Sequence, residues 1–334
     1  MNYSLKVFKK NNSVKILLSP IFARHTAQFT KLSNLFEYSD HNKYQLVTDP
    51  NVADLILLTD GRFDNKANEI RCNELLKQYT SKCFVLSNED CPLPLFRGVY
   101  ASAEKSIYNF NRIRSTSYTD GFDPHKNEFI VNSIRNIDSR DDGGKKYLFS
   151  FIGRNSHLIR EKIFSMNFSR QDVYIKDSSE SFDLYDKNLK DKAEQLRYSE
   201  IMKLSKFALC PRGCGANSIR LFEAMQLGVA PVIISDEWIL PYGPDWKECS
   251  IVISSKNLNS LEKILIEKES SYNIIGKNAQ AVYKKYFAPE VYFEYLIKNC
   301  LDIKHNQIIP EKLFTYFGRL YFPYLRIKSF ISRL

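Results

Sequence analysis

Two arginines, a serine and a glutamate between positions 212 and 223 have the types and spacing to hold a phosphorylated ribose. Arg212 and Arg220 carry planar guanidinium forks suited to phosphate oxygens, with Gly213 in the same loop. Ser218 can cap a helix or hydrogen-bond a phosphate, and Glu223, three residues beyond Arg220 and near the same helical face, suits a ribose diol. The plainer alternative makes Arg220 and Glu223 a surface pair and Ser218 a simple cap.

The elements that must position these residues can be read from the same stretch. Lys206 to Cys210 is a short apolar run stopped by Pro211, and a Gly-containing loop follows. From Ser218 the apolar residues Ile219, Phe222 and Met225 recur at helical spacing until Gly228, a stop signal. A β-branched strand then starts at Pro231 and ends at Asp236. Strand, loop, helix, turn and strand make the right-handed crossover of a parallel sheet. Ligands of such sheets bind outside the carboxyl ends of the strands, where helix N-termini present free N–H groups to anions.

The same pattern occurs upstream. YLFSFIGR (147–154) is a strand whose Gly153 and Arg154 lead into a helical stretch with Arg160; Arg154 is either a phosphate contact or a solvated side chain. In the first half VKILLSP (14–20), Tyr44–Val47, ADLILLTD (53–60) and CFVLSNED (83–90) are strands, alternating with helical segments. A cleft-facing general base is expected at one of their carboxyl ends: Asp60 first, then His25, then Glu89 or Asp90. Within residues 91–146, CPLPLFRGVYASAEKS (91–106) carries turns and aromatic residues, NFNRIRSTSYTDGFDPHKNEF (109–129) shows little periodicity and looks like a long ordered loop, and a boundary falls at 136–146 around Gly143 and Gly144. The division is therefore 1–140, 141–288 and a C-terminal helix with tail, 289–334.

At 334 residues, 44% apolar and 26% charged, the chain accommodates two globular domains. Its net charge of +10 favours anionic partners. No nucleic-acid-binding motif is present and the basic residues are spread along the chain, so nucleic acid is not expected as a partner. Seven cysteines form neither a C-x-x-C pair nor a zinc-type pattern with histidine. Their odd number and a charged opening segment suggest a reducing, cytoplasmic setting.

CPRG followed by NSIRLFEAMQLGVAPVIISD and LPYG resembles the exostosin family of glycosyltransferases, GT47-like, and KKYLFSFIGR resembles the stretch that opens that family's nucleotide half. The close match covers about forty residues. The resemblance implies an α/β protein of the GT-B class, two Rossmann-like domains with parallel sheets facing across a cleft. It also implies an inverting transfer of a sugar from a nucleotide-sugar donor, a UDP-sugar first, to a glycan or lipid-linked glycan in surface-polysaccharide synthesis. The donor residues would be Arg154, Arg212, Gly213, Ser218, Arg220 and Glu223, and the catalytic base Asp60 or His25. The sequence contains no Asp-x-Asp, so neither metal nor cofactor is expected and arginines would compensate the diphosphate charge. Animal and plant exostosins usually carry an N-terminal membrane anchor, from which this chain departs, suggesting a bacterial-type enzyme. A catalytically silent sugar-nucleotide binder or scaffold is the alternative, with a nucleic-acid-binding protein behind it.

The tail 311–334 mixes five basic residues and one acidic residue with many aromatics, and Pro323 interrupts any long helix. It is expected to lie on an anionic membrane surface, peripheral on the inner face of the plasma membrane. The competing reading is a closing helix packed on the first domain.

Overall fold

The computed structural model describes residues 13–22, 27–59, 73–92, 94–119, 130, 144–180, 192–317, 324 and 327. In chain order the first half contains β1 (Val14–Pro20), α1 (Ala27–Phe36), β2 (Tyr44–Leu46), β3 (Leu55–Thr59), α2 (Glu74–Gln78), β4 (Cys83–Ser87), β5 (Gly98–Tyr100) and β6 (Ile113–Ser115). The second half contains β7 (Tyr147–Gly153), α3 (Leu158–Ser165), β8 (Val173–Asp177), α4 (Lys192–Lys203), β9 (Ser205–Pro211), α5 (Ile219–Leu227), β10 (Ala230–Ile234), α6 (Trp246–Cys249), β11 (Ile251–Val252), α7 (Leu261–Glu267) and α8 (Tyr272–Val282). Two helices follow, α9 (Pro289–Asn306) and α10 (Glu311–Tyr316).

Two parallel sheets result, ordered β2-β1-β3-β4-β5-β6 and β11-β10-β9-β7-β8. This is the expected GT-B architecture. Strand β3 explains why the first sheet needs cover on both faces: Leu55 and Leu57 enter one core with Ile16, Phe84 and Leu86, while Ile56 and Leu58 enter another with Val85 and Leu76. That alternation is the period of two of a β-strand, here apolar on both sides. Burying each such Leu or Phe contributes roughly 1.5–3 kcal/mol.

One sheet face is covered from the far end of the chain. Tyr292, Phe293, Leu296, Ile297, Cys300 and Ile303 recur at three- and four-residue spacing along α9 and join the core of Ile16, Leu55 and Phe84. Pro289 at the first turn suits this helix start, where its missing N–H costs nothing. The C-terminal helix thus returns to the first half, tied there by buried charge. Arg112 meets Glu311 at 2.7 Å, with both side chains almost wholly buried, and Arg97 bonds Gln307 at 2.7 Å. Arg114 pairs with Asp302.

The structure corrects two expectations here, turns in residues 91–106 and a long loop in 109–129. Gly98–Tyr100 and Ile113–Ser115 are strands that extend the first sheet beyond β4. Three-residue strands carry too few side chains for a period to show, and their pairing is set by the sheet edge already formed.

The halves meet along a short seam. Ile239 N–H donates to the Ala103 carbonyl (2.9 Å), Lys105 N–H to Glu237 (2.7 Å) and the Trp238 indole to Ala101 (3.2 Å). Among the described residues, no helix is long and apolar enough to cross a membrane.

Candidate active site

The second sheet reverses its strand order between β7 and β9, and the crevice at that switch point is where its ligands are expected. The carboxyl end of β7 delivers Gly153 and Arg154, and that of β9 delivers Arg212 and Gly213. Pro211 ends β9 and the chain runs through Arg212–Asn217 into α5, whose cap residue Ser218 is extended at φ −134°. Helix α5 stops at Gly228, which adopts the left-handed φ of 70° that a side chain would resist.

Three guanidinium groups crowd this crevice. Arg160, from α3, donates Nε to the Arg212 carbonyl at 2.9 Å and its terminal nitrogens to Pro211 (3.2 Å) and Arg154 (3.1 Å). Burial, with the charge of Arg220 beside it, pulls its pKa down to about 10. Arg220 lies over the Phe151 ring at 4.6 Å and the Tyr198 ring at 5.6 Å and donates to the Ile152 carbonyl. Buried Arg212 reaches Glu104 of the first half at 3.4 Å. The Nε–H groups of both Arg212 and Arg220 are buried with no hydrogen-bond acceptor. Buried donors are rarely left unsatisfied, so two in one crevice mark a place for an anion. The glycines belong to the same packing: a Cβ at Gly153 would press on the Arg220 guanidinium, and one at Gly213 would lie 3.0 Å from that of Arg160.

The other expected donor residues are placed as follows. Arg154 is exposed at the mouth. Ser218 caps no backbone group with its side chain; instead Asn217 Oδ1 accepts from the Ser218 N–H at 2.6 Å. Glu223 is half-buried and accepts from the Tyr198 hydroxyl, and no ion pair joins it to Arg220, so the surface-pair alternative does not hold. Desolvation pushes the Glu223 carboxyl above the ordinary glutamate range, and Tyr198 titrates well above the ordinary phenol value for the same reason.

Facing the loop across the seam are the carboxyl ends of β4, β5 and β6. Tyr118 donates to Asp90 Oδ1 at 2.7 Å and shares a hydrogen bond with Ser102 Oγ at 2.7 Å; the Asn217 N–H donates to Ser102 Oγ at 3.2 Å. A Cβ on Gly215 would collide with Tyr118, Ser102 and Asp90, so the second-half loop presses directly on this group. Of the carboxylates expected as base, Asp90 is exposed beside the loop and Glu89 is buried. His25 and Asp60 lie outside the described residues. They follow β1 and β3, the strands flanking the first sheet's own switch point.

Asn217 and Glu104 escaped sequence reasoning. Asn217 Nδ2 donates to the carbonyls of Ala101 (2.9 Å) and Thr116 (3.2 Å), and Glu104 meets Arg212 from more than a hundred residues away. No local pattern announces such partners.

His157 also belongs here. Its Nδ1 accepts from the Ile159 N–H at 3.1 Å, and burial, with Arg212 and Arg160 nearby, lowers its pKa to about 4. The unfolded chain therefore takes up the proton first, so stability falls as pH drops from about 6.5 towards 4. His157→Asn, which retains an acceptor, is expected to flatten that part of a curve of Tm against pH. An unchanged curve would assign the acid loss to other groups.

Two parallel sheets meeting at their carboxyl ends, with an arginine-lined crevice at one switch point, define a protein of the GT-B class. The Exostosin GT47 domain matches residues 105–268, so that stretch of the chain is similar to the exostosin family's conserved domain. An Exostosin-1 homolog of Caenorhabditis elegans is 26% identical over 200 residues, covering 56% of this chain and 52% of that protein. Exostosin-1 of Drosophila melanogaster is 30% identical over 158 residues, covering 43% and 21% respectively. This chain therefore spans about half the length of the worm relative and less of the fly one. A solved glycosyltransferase from Rickettsia africae overlays loosely, with a TM-score of 0.40 at 10% identity over 89% of this chain and 99% of that one.

Proposed function

We propose that this protein is an inverting glycosyltransferase that moves a sugar from a nucleotide-sugar donor to a hydroxyl of a glycan or lipid-linked glycan, in the cytoplasm, during surface-polysaccharide synthesis. The observation that carries this reading is the cluster of Arg160, Arg212 and Arg220 in the β7/β9 crevice, with two buried guanidinium N–H groups lacking acceptors. Family resemblance makes a UDP-sugar the first donor to try.

In this reading the arginines take the diphosphate and Glu223 the ribose hydroxyls. Asp90 removes the acceptor hydroxyl's proton as the oxygen attacks the anomeric carbon from the face opposite the nucleotide. The bond from that carbon to the diphosphate oxygen breaks, and the negative charge left on the nucleotide develops against the arginines, which need no reorganisation to receive it. Charge compensation by side chains makes the transfer independent of a metal ion.

Calorimetry with UDP, GDP and CMP tests the donor site. Arg220→Ala and Glu223→Ala each remove hydrogen bonds to a charged or polar ligand group. They are expected to weaken nucleotide binding roughly ten- to a hundredfold, at about 1.5–3 kcal/mol per charged hydrogen bond. EDTA should leave wild-type binding and turnover intact. Wild-type affinity in both variants would reject the site, and a strict need for added Mn²⁺ or Mg²⁺ would reject the metal-free chemistry. Binding without turnover would favour a silent sugar-nucleotide binder.

A further inference from the structure

The last described segment presents two chemically distinct faces. Glu311 and Phe314 of α10, three residues apart, turn inward: the Glu311 carboxylate takes the Arg97 backbone N–H (3.0 Å) and the Arg112 guanidinium, and Phe314 stacks under that guanidinium at 3.9 Å. Leu313, Tyr316 and Phe317, spaced by three and four residues, point the other way and are 47%, 79% and 54% exposed. Ile308 and Ile309 just before the helix are exposed too, as are Tyr324 and Ile327 beyond it. Large apolar side chains exposed together at this density mark an interaction surface, whereas scattered ones elsewhere need no explanation.

The charge in and after this segment is mainly positive, with Asp54 an exposed acidic neighbour of Lys304. Lys304, His305 and Lys312 are exposed beside it. Arg319, Arg326, Lys328 and Arg333 follow in the sequence, and from 311 onward the single acidic residue is Glu311, which is buried against Arg112. Exposed apolar and aromatic side chains in a segment whose sequence carries this excess of cations match the boundary between acyl chains and anionic headgroups; a protein partner with an apolar patch would not by itself require this excess of positive charge.

We propose that the outward face of α10, with Ile308 and Ile309, docks on an anionic lipid bilayer, and that the buried Arg112–Glu311 pair holds this face rigidly to the first domain. On this proposal the inward packing of α10 and its lipid-facing surface lie on opposite faces of one helix. Docking of this kind would hold the first-domain side of the cleft near lipid-linked acceptors. The surface itself is argued from exposure and charge alone, independently of the donor site.

The test is co-sedimentation of the full chain with vesicles of phosphatidylcholine alone or mixed with phosphatidylserine, with no nucleotide and no activity readout. Wild type should pellet with the mixed vesicles and dissociate as salt is raised. The combined variant Leu313→Gln, Tyr316→Gln and Phe317→Gln should lose about tenfold or more in partition while keeping the wild-type thermal transition, since none of the three side chains is buried. Ile274→Gln, an equally exposed apolar residue on α8, should pellet like wild type. Failure of wild type to pellet, or equal pelleting by the combined variant, overturns the proposal. Concentration-dependent dimerisation of wild type by light scattering, abolished in the combined variant, would overturn it in favour of a second copy of the chain.

Discussion

Asp90→Asn is expected to lower kcat by about 10²- to 10⁴-fold, the usual weight of a positioned general base, while nucleotide affinity stays close to wild type. Asparagine keeps an oxygen for the Tyr118 hydroxyl, which now bonds Asp90 at 2.7 Å, so the contact with the Gly215 loop should survive. What disappears is the ability to accept a proton from an acceptor hydroxyl. The measurement is release of nucleoside diphosphate from the donor in the presence of acceptor, alongside calorimetric binding of the nucleotide. Unchanged turnover would remove Asp90 from the mechanism. Asp60→Asn and His25→Ala should be run in parallel, because both residues follow strands at the first sheet's switch point and one of them would then be the base.

The second large effect concerns stability. Glu311→Ala strips the carboxylate from a site where Arg112 and Glu311 are almost wholly buried, leaving a guanidinium whose charge has lost its partner. Removing one member of a buried pair typically costs about 3–5 kcal/mol, because the remaining charge stays desolvated. Equilibrium urea unfolding of the full chain should show this loss, and Glu311→Gln, which can still accept a hydrogen bond, should lose less. The double replacement Arg112→Met with Glu311→Leu removes both charges and should recover most of the stability. Loss below about 1 kcal/mol for Glu311→Ala would mean that α10 lifts off and lets water reach Arg112, as for an exposed pair. The same experiment would then weaken the rigid presentation of the lipid-facing surface.

These two residues were legible to different degrees. Asp90 could be shortlisted, because it follows an apolar run that reads as a strand and strand ends are where parallel sheets place ligands. Its preference over Glu89 could not be read. Adjacent residues in one loop differ in exposure only through what packs on them, and here Glu89 is buried while Asp90 is exposed next to the Gly215 loop from the other half of the chain. Glu311 gave no signal at all: it reads as a polar residue opening an amphipathic tail, and its partners at 97 and 112 are about two hundred positions away.

The sequence alone determined the parallel α/β architecture, the crossover from 206 to 236 and the donor candidates. These rest on short-range physics: apolar periodicity, β-branched runs, Pro211 and Gly228 as stops, and guanidinium groups at strand ends. Only the tertiary structure decided which side chains meet. It added β5 and β6 from three-residue segments, set Glu104 on Arg212, tied Asn217 to two first-half carbonyls, and brought α9 onto the first sheet. It also turned Phe314 inward and Leu313 outward on a helix whose composition is apolar on both sides. Long-range pairing of this kind depends on where the backbone places each residue in space, and a single residue type carries no record of its distant partner.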